Sequence, residues 1–166
     1  FLWRVHKEVP AKGQIAIFNR SHYEDIIAVR VKNIFPDPVW KRRYKHVLAF
    51  ESMLAEEGTV IIKLFLNISK EEQKKRLESR LQDPDKLWKF CMDDLDDRNR
   101  WDEFQTAYQD LIEKTSTPEA PWYIIPADRK WYRNLVVARL MVEKLRHLQL
   151  SLPTPNFDPA SIIIPD

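Results

Sequence analysis

Residues Asn19, Arg20, Ser21, His22, Tyr23, Glu24 and Asp25 place an amide, a guanidinium, a hydroxyl, an imidazole, a phenol and two carboxylates in one short stretch. Arg20 has the chemistry to grip a phosphate, and Asn19 or a neighbouring acid that to hold a metal-bound water. Glu24 and Asp25 can orient an acceptor or help to hold Mg2+. The competing reading is a polar strand-to-helix turn with Asn19 or Ser21 as its cap. So varied a set of donors and acceptors favours a ligand site.

Arg76 and Arg80 lie four residues apart in "SKEEQKKRLESRL". On a helix they share a face, and like charges at that spacing cost a few tenths of a kcal/mol, a cost that an anionic ligand reverses. Glu72, one turn before Arg76, offers a surface ion pair instead. Arg129 and Lys130 open the last helical segment, where the helix dipole disfavours cations, so they point to a phosphate or carboxylate partner or are simply solvated. Arg4, Lys7 and Lys12 make a further basic group. The four histidines lack zinc-site spacing, no GxSxG elbow occurs, and the single Cys91 excludes an internal disulfide and a CxxC motif.

The elements that must position these groups follow from the apolar pattern. Residues 15–18 ("IAIF"), 59–68 ("TVIIKLFLNI") and 122–126 ("WYIIP") read as strands of a parallel sheet buried on both faces. The first ends at the 19–25 cluster, and open α/β sheets bind ligands at the carboxyl ends of their strands. A crossover helix is predicted from an Asp37 cap, with Pro38 at its first position, to Gly58. Ser69 with Glu72 forms a capping box for a very polar second helix. Leu95, Phe104, Tyr108, Leu111 and Ile112 give a third its stripe. Leu135, Val136, Leu140, Val142 and Leu145 predict a fourth, longer and more buried. From about residue 150 the Pro-rich tail is expected to run extended over the surface.

The bulk properties fit this reading. At 166 residues and 44% hydrophobic content the chain is long enough for one domain with a sizeable core. A net charge of +2 is not the footprint of a nucleic-acid binder, and no apolar run is long enough to span a bilayer as a helix. A soluble, cytoplasmic protein is expected.

Several ordered blocks, "FLWRVHKEVPAKGQIAIFNRSHYED", "GTVIIKLFLNISKEEQKKRLESRL", "KLWKFCMDDLDDRNRWDEFQTAY" and "TSTPEAPWYIIPADRKWYRN", make residues 1 to about 148 resemble the polyphosphate kinase 2 family of polyphosphate:nucleotide phosphotransferases. "FNRSHYED", where other members carry Asp-Arg-Ser, resembles its class III branch, associated with both mono- and diphosphate acceptors. The resemblance implies an α/β, P-loop kinase-like (thymidylate kinase-like) fold, a parallel sheet flanked by helices with a helical lid at about 69–100, and Mg2+-dependent transfer of a terminal polyphosphate phosphoryl group to AMP or ADP. By the same resemblance Asn19 and Arg20 serve metal and phosphate. Glu24 and Asp25 fall beside the acceptor phosphate or its Mg2+, with Asp25 as a metal ligand. Arg76 and Arg80 are the lid arginines, Arg4, Arg129 and Lys130 lie towards the acceptor nucleotide, and a dimer or tetramer is implied. Neither Gly13 nor Gly58 belongs to a phosphate-cradling loop, so that loop and about two βα units, each of roughly 30 residues, are expected upstream of Phe1. On this reading the chain is one partial kinase domain, inactive alone. The alternatives are an ATP-dependent nucleoside monophosphate kinase and a non-catalytic anion-binding module.

Overall fold

Two of the three apolar runs pair. In the computed structural model, which describes residues 1–165, β1 (Lys63–Asn67) and β2 (Trp122–Pro126) run parallel, from Lys63 opposite Trp122 to Asn67 opposite Pro126. A parallel pair needs a crossover rather than a hairpin. The chain makes it through α4 (Lys70–Gln82), a 3-10 segment (Pro84–Lys89), α5 (Asp93–Asn99) and α6 (Trp101–Thr115). Before β1 come the single turn α1 (Trp3–His6), α2 (Glu24–Val31) and α3 (Asp37–Glu56), and after β2 comes α7 (Lys130–His147). The fold is thus α/β, a small parallel sheet flanked by helices, as the sequence predicts.

The third predicted strand is not formed. Residues 15–18 carry no strand hydrogen bonds, and Ile15, Ile17 and Phe18 are exposed, Ile17 to 88%. A strand exists only through the ladder it shares with a neighbour, and no described residue pairs with this run. Burial on both faces fails as well, because Leu66 and Ile124 are exposed while Lys63 and Ile125 are buried. The fourth predicted helix exists as α7, but it buries no residue. Its apolar stripe meets β2 on one side, and Leu135 and Val142 face outward.

The core lies among helices. α2 is "EDIIAVRV", with Ile26, Ile27, Val29 and Val31 all buried; apolar on most sides, it suits a helix enclosed by others. It packs between α3 and α6, where Trp40, Tyr44 and Val47 meet Ala107 and Leu111. Arg30 of α2 reaches Asp110 of α6 at 2.6 Å, and Arg100 donates to the Val31 carbonyl at 2.8 Å, closing the carboxyl end of α2. The third predicted helix is two, α5 and α6, broken at Arg100. Asp37 is the first residue of α3 rather than its cap; its carboxylate accepts from Trp40 and Lys41 inside the first turn. Residues 151–165 contain one 3-10 turn, Pro159–Ser161, and are exposed. Among the described residues, no helix is long and apolar enough to cross a membrane.

Candidate phosphate site

Residues 19–23 form a tight loop leading into α2, with Glu24 and Asp25 in the helix's first turn. Arg20 adopts φ 62°, the left-handed region that a non-glycine residue occupies at a cost. The amides of Glu24 and Asp25 donate to the carbonyls of Ser21 and His22, each at 3.1 Å, and Tyr23 is the N-cap. Neither Asn19 nor Ser21 caps α2 with its side chain. Asn19 and Arg20 are exposed and make no side-chain hydrogen bond or ion pair among the described residues. Asp25 is engaged differently: Arg4 pairs with its carboxylate at 2.5 Å, and Arg43 of α3 donates to its carbonyl. Tyr108 of α6 lies within electrostatic reach of both Glu24 and Arg20. Burial and then the charge of Glu24 push its hydroxyl up to about 12, with Arg20 working in the opposite direction.

Beneath the loop is a group that sequence reasoning missed. The Tyr23 hydroxyl donates to Glu51 Oε1 at 2.5 Å, and Lys63 Nζ donates to Glu51 Oε2 at 2.7 Å, to the Thr115 carbonyl at 2.6 Å and to the Tyr23 hydroxyl at 3.1 Å. Lys63 and Glu51 side chains are each only 5% exposed. Burial pushes the Lys63 ammonium down against the pull of Glu51. Burial works to raise Glu51, but the His22 imidazole 3.8 Å away and the hydrogen bonds from Lys63 and Tyr23 outweigh it and hold the carboxyl below its usual range. Burial, reinforced by Glu51, raises the Tyr23 phenol far above its ordinary value, so it remains a donor. A lysine inside the apolar run "VIIKLFL" was the available signal, because a charge in a buried strand requires a partner.

The third part of the site is α4. Ser69 Oγ accepts from the Glu72 amide at 3.1 Å, but the reciprocal half of the capping box is absent: Glu72 turns to Arg76 at 2.7 Å, and the Ser69 amide donates to Asp128 Oδ1 at 2.7 Å. Arg76 also donates to the carbonyls of Ala127 and Asp128, at 2.7 and 3.2 Å. The start of α4 is thereby fastened to the carboxyl end of β2. Arg98 of α5 holds it from the other side, donating to the Lys70 carbonyl at 2.7 Å. Arg80 is held loosely, 3.3 Å from Asp94 Oδ2 and 3.5 Å from the Lys89 carbonyl. Arg129 and Lys130 are exposed at the start of α7, without side-chain partners among the described residues. The structure therefore gathers Arg4 with Asp25, Arg20 and Glu24 around Tyr108, and Arg76 with residues 127–128. No hydrogen bond or ion pair among the described residues joins Arg76 or Arg80 to the 19–25 stretch. Three or more His, Cys, Asp or Glu side chains clustered to hold a metal do not occur among the described residues, and the carboxylate of Asp25 is already neutralised by Arg4. These residues do not make a resident Mg2+ site by themselves.

A polyphosphate kinase 2 (PPK2) family model matches residues 1–152. The chain belongs to the polyphosphate kinase 2 family. Among PPK2-related proteins, an AMP/ADP-polyphosphate phosphotransferase from Meiothermus ruber is 54% identical over 99% of this chain and 61% of its own length. A polyphosphate:AMP phosphotransferase from Pseudomonas syringae is 35% identical over 87% of this chain and 29% of its own length. The crystal structure of polyphosphate kinase 2 from Arthrobacter aurescens superposes with a TM-score of 0.92 at 48% identity, covering 96% of this chain and 56% of that one. The chain thus spans less than two thirds of each of these relatives, and the PPK2 fold described above is the part they share with it.

Proposed function

We propose that the protein, in its full natural length, transfers the terminal phosphoryl group of inorganic polyphosphate to AMP or ADP. The observation that carries this reading is Arg20, a guanidinium exposed without a partner among the described residues and held in a strained backbone at the head of two carboxylates. Strain of this kind clusters where a ligand must be met in one geometry. The names of the relatives supply the substrate class.

In the proposed reaction an acceptor phosphate oxygen attacks the end phosphorus of polyphosphate in line. A P–O bond forms to the nucleotide, the bridging P–O bond breaks, and the shortened chain leaves with the electron pair as a terminal phosphate oxygen. Asn19 and Arg20 hold the transferring phosphate, with Arg20 neutralising its charge. Arg4, Arg129 and Lys130 attract the acceptor phosphate, and Glu24 and Asp25 orient it. A divalent cation bound with the phosphates would supply charge neutralisation, and Asp25, now paired with Arg4, is the residue of this stretch that would help to hold it. Residues 69–100 act as a lid. Arg76 anchors the base of α4, and Arg80, held only by long contacts, swings to the phosphates. The same reading places the protein in the cytoplasm as a homo-oligomer.

The test uses the full-length protein with polyphosphate or ATP as sole donor and AMP or ADP as acceptor. Polyphosphate-dependent product that falls on the order of 100-fold or more in Arg80→Ala supports the reading, a loss typical of a removed charge-stabilising donor. Activity with ATP alone would overturn it, and an undiminished Arg80→Ala enzyme would remove that residue from the mechanism.

A further inference from the structure

We propose that Tyr23, Glu51 and Lys63 form a positioning unit that rivets the Arg20–Asp25 stretch to the body of the domain in its strained shape. Tyr23 is the loop's member of the unit, standing between Arg20 and the two acids. Glu51 comes from α3, Lys63 from β1, and the Thr115 carbonyl from the end of α6. The phenol therefore ties the loop to α3 and β1 directly, and to the end of α6 through Lys63.

The stoichiometry of the network supports a geometric role. An ammonium has three N–H donors, and Lys63 has three acceptors around it at 3.1 Å or less. Each oxygen of Glu51 takes a different donor, and the Tyr23 hydroxyl both donates and accepts. Tyr23, Glu51 and Lys63 match one another's donors and acceptors, while His22, stacked on Tyr23 at 4.6 Å and 3.8 Å from Glu51 Oε1, is the buried neighbour left without a hydrogen bond; so matched a buried set specifies one arrangement of its members. Stability gives a weaker account, because a buried ion pair replaced by apolar groups of similar volume is often neutral or stabilising. The loop carries the feature that needs such support: a non-glycine residue in the left-handed region persists only where its surroundings over-determine it. Arg43, donating to the Asp25 carbonyl, is a second tether on the far side of Tyr23. Aromatic packing alone does not explain the phenol, since the edge contact of Tyr23 with Trp122, 4.9 Å between centroids, needs no hydroxyl.

The catalytic part of this inference rests on the proposed phosphoryl transfer; the structural part does not. The variants are Tyr23→Phe, which keeps the ring, and Tyr44→Phe as control, whose hydroxyl is buried without a hydrogen bond of ordinary geometry. A triple variant, Tyr23→Phe with Glu51→Leu and Lys63→Met, removes every charge left unpaired and guards against simple misfolding. In the full-length protein, Tyr23→Phe and the triple variant should lower kcat about tenfold with KM for polyphosphate little changed. Amide hydrogen exchange of residues 20–25 should accelerate at least tenfold while that of Ala107 and Leu111 stays as in wild type. Tyr44→Phe should change neither. Unchanged exchange in the loop, acceleration spread through α6, or an unaltered kcat would each overturn the positioning role. If the wild-type protein transfers no phosphoryl group at all, the proposed function falls, and exchange of residues 20–25 alone decides whether the rivet exists.

Discussion

At the scale of single residues, Arg20 separates two contributions that are usually mixed. Its side chain makes no bond among the described residues, so its cost to the fold is that of its backbone, φ 62°. Glycine adopts this conformation freely, whereas alanine carries the same Cβ penalty as arginine. Arg20→Gly should therefore raise the unfolding free energy by about 1 kcal/mol, and Arg20→Ala should leave it near wild type. Both should abolish polyphosphate-dependent transfer. Thermal melts and donor assays on the two variants check this; equal melting points would mean that the left-handed turn is not what Arg20 contributes. The polar types of this stretch were legible from sequence, because seven adjacent residues display them. The turn at Arg20 was not, since nothing local in "FNRSH" demands it. Glu51 and Lys63 were harder still: each looks ordinary in its own segment, and only folding brings them within 2.7 Å.

Among elements, α2 is what the sequence hid best. It is short and apolar on most sides, so it lacks the 3.6-residue alternation by which surface helices are recognised. Runs with strong local signals do form elements: 122–126 is β2, the centre of 59–68 is β1 without burial on both faces, and Ser69 caps α4. Besides its buried apolar side chains, α2 is tied to α6 by the ion pair of Arg30 with Asp110, whose side chains are 23% and 31% exposed. Hydrogen bonds from Lys114 and then Arg30 hold the Asp110 carboxyl below its usual range. A carboxylate depressed in the folded state stabilises fully above its unfolded pKa of about 3.9, and the contribution is lost as pH falls through the folded value. Asp110→Asn should thus cost about 0.5–1 kcal/mol at neutral pH, the range for a partly solvated pair. Wild type and variant should converge as acid protonates Asp110. Denaturant melts at pH 7 and in strong acid measure the difference; a gap that persists unchanged in acid would show that Asp110 acts through packing rather than charge.

For the molecule as a whole, a sheet of two strands leaves apolar surface that helices alone do not cover. Ile15, Ile17 and Phe18 are exposed in an extended segment with unpaired backbone, and Leu66 and Ile124 are exposed on the sheet. An apolar run read as a buried strand describes what the residues prefer, and the preference is met only if a neighbouring strand is present. The same limit applies to α7, whose stripe is real but packs chiefly against β2 and leaves no residue of the helix buried. Unpaired extended segments of β-branched and aromatic residues recruit other chains, edge to edge. The 166-residue chain, prepared by itself, should accordingly self-associate and bind an apolar dye. Ile17→Lys should lower both, because Ile17 is 88% exposed and its replacement removes no described packing, while a charge at an open edge opposes pairing. Sedimentation over a concentration series, with helical content followed by circular dichroism, tests this. Association that is unaltered by Ile17→Lys at unchanged helicity would locate the sticky surface elsewhere, with the exposed faces of β1, β2 and α7 as the remaining candidates.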